Sequence, residues 1–370
     1  MSYEFALDIV DEIRGLWHVD PERLRWVGDV SPKAMRTEGY GFDWWPGDFK
    51  VSLRVHGPHP DDGEDDSPTF RLQLRCDLAL DVDVAMPELT ARLSELNATL
   101  PCCAVSAIPR ELLAEAGEAD SRQPVRQAFV GYVNPSNRDW FIQLFYALGL
   151  LLPIEAQQRA EQHAAMLGGK PDRSAPPGMA GPLEPDELLG VDESLFIPEG
   201  QQAKLALCEA EFPDIVERWG RGDWSFGQAD GSSLVMDLSF GEDSALLRLD
   251  RELVHDRLGG GLASALLLPH PSELREVADL ANYLNMMEAG SWVPGRPPLF
   301  GNWFAHPGSD GRHFLLHQTL MPTLVDRPGL AEAVVLWSMA RLEWVRQTVW
   351  PEMVNRPIVE ILRRRYELQQ

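Results

Sequence analysis

The sequence predicts an α+β fold made of two tandem α-β-β-β-α-β-β-α modules, each an antiparallel sheet with helices packed on one face. Three observations predict it. A chain of 370 residues has room for two cores. A proline- and glycine-rich stretch divides it into halves of similar size. Each half also carries runs of alternating apolar residues interrupted by single helical stripes, the pattern of an antiparallel sheet with segregated helices rather than of repeated β-α units.

The dividing stretch runs from Gly168 to Pro198 and contains Pro171, Pro176, Pro177, Pro182 and Pro185. So little apolar bulk precedes Leu188 that it reads as an interdomain linker. The expected organisation is therefore a first module over 1–167, a linker over 168–200 and an internal duplicate over 201–370.

Each half opens on a helix. Phe5, Ile9 and Ile13 recur at steps of four in the first, and Leu205, Cys208, Phe212, Val216 and Trp219 at steps of three and four in the second. Strands follow. Phe49 to Val55 and Phe70 to Val84 carry the first set, with Phe70, Leu72 and Leu74 alternating with polar residues. Leu234 to Phe240 and Ala245 to Leu253 carry the second, with Leu234, Met236 and Leu238 in alternation. A short amphipathic helix comes next in both halves, after Pro87 with Leu89, Leu93, Leu96 and Asn97, and after Pro271 with Leu274, Val277, Ala281, Leu284 and Asn285. Both end on a Leu-Asn pair, where Asn suits a left-handed terminal position.

The end of each half supplies two apolar runs around a turn, then a helix. Val133 to Arg138 separates Ala128–Val133 from Trp140–Leu148; His306 to Arg312 separates Leu299–Ala305 from Phe314–Leu320. Both turns have Pro, small polar residues and Arg, the chemistry of a hairpin loop longer than two residues. A fixed offset then pairs Phe145 with Leu320, Pro153 with Pro328 and Leu167 with Leu342, and each Pro is expected to open a helix. In the second copy that helix carries Leu330, Val334, Trp337, Arg341 and Trp344 at steps of three and four.

Composition bounds the function. With 57 acidic and 33 basic residues the net charge is -24, which disfavours nucleic acid and anionic membrane surfaces as partners. The first ten residues carry Glu4 and Asp8 and no basic region before an apolar core, so no secretory signal is expected. The longest apolar candidate, Phe141 to Leu152, stops at Pro153, short of a spanning helix. Cysteines at 76, 102, 103 and 208 lack CxxC spacing and are expected to be reduced core residues of a cytoplasmic protein.

The order α-β-β-β-α-β-β-α, the acidic composition, the amphipathic last helix and the echo of Leu96-Asn97 by Leu284-Asn285 resemble the type III secretion chaperone-like fold, including the bacterial YbjN-type proteins. The resemblance spans about Met1 to Leu167 and Gln201 to Gln370. It implies a sheet or helix surface that binds segments of other proteins, often as a dimer, with no catalytic residues to carry over. Two fused copies would supply that pairing within one chain, as a monomer with pseudo-twofold symmetry or as a homodimer.

Candidate chemistry is sparse. The run Asp61-Asp62-Gly63-Glu64-Asp65-Asp66 lacks the spacing of an EF-hand loop and reads as a solvated strand connection. His306, His313 and His317 surround the second turn, but a zinc site needs further converging ligands. Gly259-Gly260-Gly261 has no Lys-Ser/Thr after it and reads as a turn rather than a phosphate cradle. No catalytic, metal or cofactor-binding residues are assigned, and no cofactor is expected. Twelve tryptophans stand out; Trp44, Trp45, Trp224, Trp337 and Trp344 are the candidate protein contacts, since Trp anchors interfaces as well as cores. The expected function is a non-enzymatic protein-binding module, chaperone-like or a regulatory adaptor. The alternative is an enzyme or small-ligand binder using a cleft between the modules.

Overall fold

The computed structural model describes residues 2–58, 68–83, 86, 88–100, 102–108, 122–179, 206–219, 225–229, 233–240, 243–251, 253–255, 259–270, 273–290, 301–308, 311–322, 325 and 327–349. Helices and two antiparallel sheets make up an α+β fold. The chain divides into two compact units of discontinuous sequence. Residues 1–83, 122–196 and 288–294 form the first; residues 84–121, 197–287 and 295–370 form the second. Residues 84–121 thus group with the later half of the chain, where the sequence suggests contiguous modules.

In the first unit, α1 (Ser2–Leu16) is followed by β1 (Leu24–Val27), α2 (Pro32–Thr37), β2 (Tyr40–Trp44), β3 (Val51–His56) and β4 (Phe70–Asp83). After 84–121 the chain returns as β6 (Arg122–Val133), α4 (Arg138–Leu167) and β7 (Lys170–Pro171). The sheet runs β1-β2-β3-β4-β6, with β7 also on β4. Local chemistry sets the joints: Ser31 caps α2 by accepting from the Ala34 N–H at 3.3 Å, with Pro32 in its first turn. Asn134 accepts from the N–H groups of Ser136 and Asn137 and turns β6 into α4.

One face of this sheet carries the core. Phe42, Trp44, Val51, Leu53, Val55, Leu72 and Leu74 are buried with Ile9 and Ile13 of α1 and with Trp17 just beyond it. Trp17 stacks on Trp44 at 5.4 Å between centroids, and Phe129 of β6 meets Phe145 of α4 edge-on at 4.8 Å. Gly149 lets α4 approach α1, because a Cβ there would lie 1.9 Å from the Trp17 ring.

The second unit contains α3 (Leu89–Asn97), β5 (Ala104–Ser106), α5 (Ala206–Trp219), β8 (Ser225–Ala229), β9 (Ser233–Phe240), β10 (Asp243–Asp250), β11 (Val254–His255) and β12 (Gly259–His270). It continues with α6 (Leu274–Gly290, its last turn in the first unit), β13 (Asn302–Pro307), β14 (His313–Pro322) and α7 (Leu330–Trp344). Its sheet runs β8-β9-β10-β12-β14-β13, with β11 on β12. Both sheets therefore open on a meander of four strands and take their fifth from beyond a helical excursion, α3 before β6 and α6 before β14.

Several expectations are corrected. Trp140–Leu148 is not the second strand of a hairpin but the start of the 30-residue α4, and Pro153 lies inside that helix instead of opening one. A long uninterrupted apolar run suits a buried helix as well as a strand, and here burial on several sides favours the helix. The paired offset fails with it, since Phe145 is helical and Leu320 lies in β14. The turn at 306–312 does join β13 to β14. Asn97 and Asn285 are not left-handed ends: α6 continues to Gly290, and among the described non-glycine residues only His18 and Asp81 have positive φ. By length and composition α4 could cross a membrane, and 89% of its apolar window is buried in the fold.

The start of the proline-rich stretch is tied down. Gly168 caps α4 in the left-handed region, β7 pairs with β4, and Asp172 is wholly buried. The remainder from 180 lies outside the described residues.

Candidate functional site

The other face of the first sheet is unusual because it is polar and buried at once. In an antiparallel sheet directly paired residues share a face and alternate along each strand. The register sets His56 opposite Arg71, which faces Tyr132; Arg54 opposite Gln73, which faces Val130; and Ser52 opposite Arg75, which faces Ala128. Asp77 then pairs with Arg126, and Asp43 of β2 with Ser52. Neighbouring positions in such a grid have Cβ atoms about 5 Å apart. Arginines and a histidine thus meet on one surface, and Arg71 is only 2% and His56 9% exposed.

Some of this charge is matched. Arg54 bonds Asp43 at 2.5 Å, and Asp77 receives Arg126 at 2.9 Å and Lys50 at 3.4 Å. Arg71 and Gln73 both donate to the Ala289 carbonyl in the last turn of α6, where orphaned carbonyls and the negative end of the helix dipole attract donors. Burial, then the guanidiniums of Arg71, Arg75 and Arg54, push the His56 imidazole down to about 3, so it is neutral at pH 7. Burial lowers Arg71 and Arg75 to about 10, which leaves both charged. The Nε atoms of Arg71 and Arg75 and Nε2 of His56 are buried without a hydrogen-bond partner among the described residues. Such a surface can hold an anionic or carbonyl-rich group.

The tryptophans expected at a surface are distributed differently. Trp44 and Trp45 are 4% and 5% exposed, so they belong to the core and are not open to a partner in the closed fold. Trp224 lies outside the described residues. Trp337 and Trp344 lie on α7 and are half-buried. They share an outward stripe with Ala333, Leu336 and Ala340, and Leu336 is 42% exposed. The inward stripe of the same helix buries Leu330, Ala331, Val334, Val335 and Leu342. A helix apolar on both sides calls for cover on both sides.

The histidines do not converge. His306 pairs with Phe314 while His313 pairs with Pro307, so His306 lies on the opposite face from His313 and His317. His317 is buried edge-on against Trp303 at 4.9 Å, and burial followed by Arg341 holds it well below its usual range. Among the described residues no group of three or more His, Cys, Asp or Glu side chains could hold a metal ion. Asp61–Asp66 lie outside the described residues. Gly259–Gly261 begin β12 rather than form a turn, pairing with β11 and β14; a Cβ at Gly261 would lie 2.4 Å from the Met321 carbonyl oxygen.

Sequence reasoning missed the cationic face because it used only the apolar residues of β4, Phe70, Leu72 and Leu74, and assigned no role to the polar ones between them. The signal was the recurrence of Arg on one face of adjacent strands, Arg71 and Arg75 flanking Gln73 in β4 and Arg54 opposite Gln73 in β3. Comparison with family models, curated proteins and solved structures finds no match.

Proposed function

We propose that the protein is a protein-binding module of the cytoplasm, chaperone-like or a regulatory adaptor, descended from a doubled α+β module. The outward side of α7 carries the reading: Leu336, 42% exposed, stands among the half-buried Ala333, Trp337 and Ala340, opposite an inward stripe that already packs on the core. Aromatic and aliphatic groups at helical spacing are what a partner groove recognises. The common strand order of the two sheets supports the doubling, and with it the resemblance to type III secretion chaperone-like proteins.

Affinity capture from native extract, with the intact chain and with Leu336→Glu, tests the proposal. A partner recovered by the intact chain and lost with Leu336→Glu is the expected result. Equal recovery by both, or none above a control protein of similar charge, contradicts it.

A further inference from the structure

We infer that the Arg71–Arg75 pair on the buried face of the first sheet is a binding site for a phosphate-class oxyanion. Charge on that face does not close by itself. Among the described residues Lys50, Arg54, Arg71, Arg75 and Arg126 meet there with Asp43 and Asp77, which Arg54, Arg126 and Lys50 already engage, and the buried Asp172 beside Lys50 and Asp77 is the third acid against five cations. The Ala289 carbonyl accepts from Arg71 and Gln73 but carries only a partial charge. The Nε–H groups of Arg71 and Arg75 are buried without an acceptor among the described residues, and an unmet charged donor in that setting costs more than an ordinary one.

A chain with net charge -24 that gathers guanidiniums in one place has a local field opposite to its overall one. Guanidinium forks fit the oxygens of phosphate, whose several acceptors can serve both arginines at once. Tyr132 lies opposite Arg71 in the register and borders the site with His56. Docking of the α6 end at the Ala289 carbonyl accounts for one guanidinium nitrogen of Arg71 and for Gln73; it does not account for Arg75.

Isothermal titration calorimetry of the full chain with inorganic phosphate, against chloride at equal ionic strength, tests the site. The expected result is saturable binding to the intact chain, with Kd raised at least about tenfold in Arg75→Gln. A parallel titration with glycerol phosphate distinguishes the source: binding of both compounds indicates a phosphomonoester ligand, and binding of inorganic phosphate alone indicates the free ion. Should Arg75→Gln fail to fold, Arg75→Lys keeps the charge, removes the fork, and is expected to weaken binding in the same direction. No binding by the intact chain, or equal affinity in the Arg75 variants, overturns the inference. A protein that still captures its partner without binding phosphate would separate this failure from that of the proposed function.

Discussion

Asn97 holds Val105 by the same two hydrogen bonds with which Asn285 holds Trp303. Asn97 accepts from the Val105 N–H at 2.7 Å and donates to its carbonyl at 2.9 Å; Asn285 does both to Trp303 at 2.8 Å. One turn earlier, Ser94 accepts from the Ala305 N–H at 2.7 Å and Asn282 from the Ala107 N–H at 3.1 Å. Ala107 and Ala305 lie two residues beyond Val105 and Trp303. Each helix thus fastens its own following segment with one side chain and the segment that follows the other helix with another, all within the second unit.

Asn97→Ala and Asn285→Ala should each leave a buried N–H and C=O unmet and cost about 2–4 kcal/mol. Urea unfolding of the two variants checks this, and a cost below about 1 kcal/mol for either would contradict the bracket.

Gly149→Ala should destabilise the first unit by about 1–3 kcal/mol through overpacking against Trp17. Trp17 also donates its indole N–H to the Tyr146 carbonyl at 3.2 Å, so its ring has little freedom to move aside. A red shift of tryptophan emission with a lowered unfolding midpoint is the expected signature.

Acid should weaken the fold before carboxylates titrate. His56, with a folded pKa near 3, and His163 and His270, near 4, all lie below the ordinary 6.5. The unfolded chain therefore binds protons that the folded chain refuses, and stability falls as pH drops from about 6.5 toward 4. Each such group contributes a slope of up to about 1.4 kcal/mol per pH unit in that window. His56→Gln should remove about one group's share of the slope; an unchanged slope would contradict the depressed value.

The class of fold was readable because alternation in Phe70, Leu72 and Leu74 and in Leu234, Met236 and Leu238 is a local signal that burial of one face preserves. The helix at Arg138 was not, because Trp140 to Leu152 is apolar at every period and only the sheet and α1 around it decide between helix and strand. Trp44 and Trp45 could not be sorted from Trp337 by type, since a tryptophan serves equally in a core and at an edge; depth depends on Trp17, more than twenty residues away in sequence. The cationic face was legible residue by residue, but its burial was not, since the α6 turn that meets Arg71 and Gln73 lies 218 and 216 residues further along the chain.

Arg54→Met should cost about 3–5 kcal/mol by stranding the largely buried Asp43 carboxylate, whereas the double variant Arg54→Met with Asp43→Leu should recover most of that loss. Thermal unfolding of the three proteins gives the comparison. Equal stability of single and double variants would contradict the buried pair.

Binding of a partner along the outer stripe of α7 is tested most directly by placing a photo-crosslinking amino acid at Leu336 in the native host. The account predicts a crosslink to a different polypeptide, identifiable by mass spectrometry and lost when Trp337 and Trp344 are both changed to Ala. Crosslinks confined to the protein's own chain would mean that the stripe is covered from within, and would contradict the proposed role.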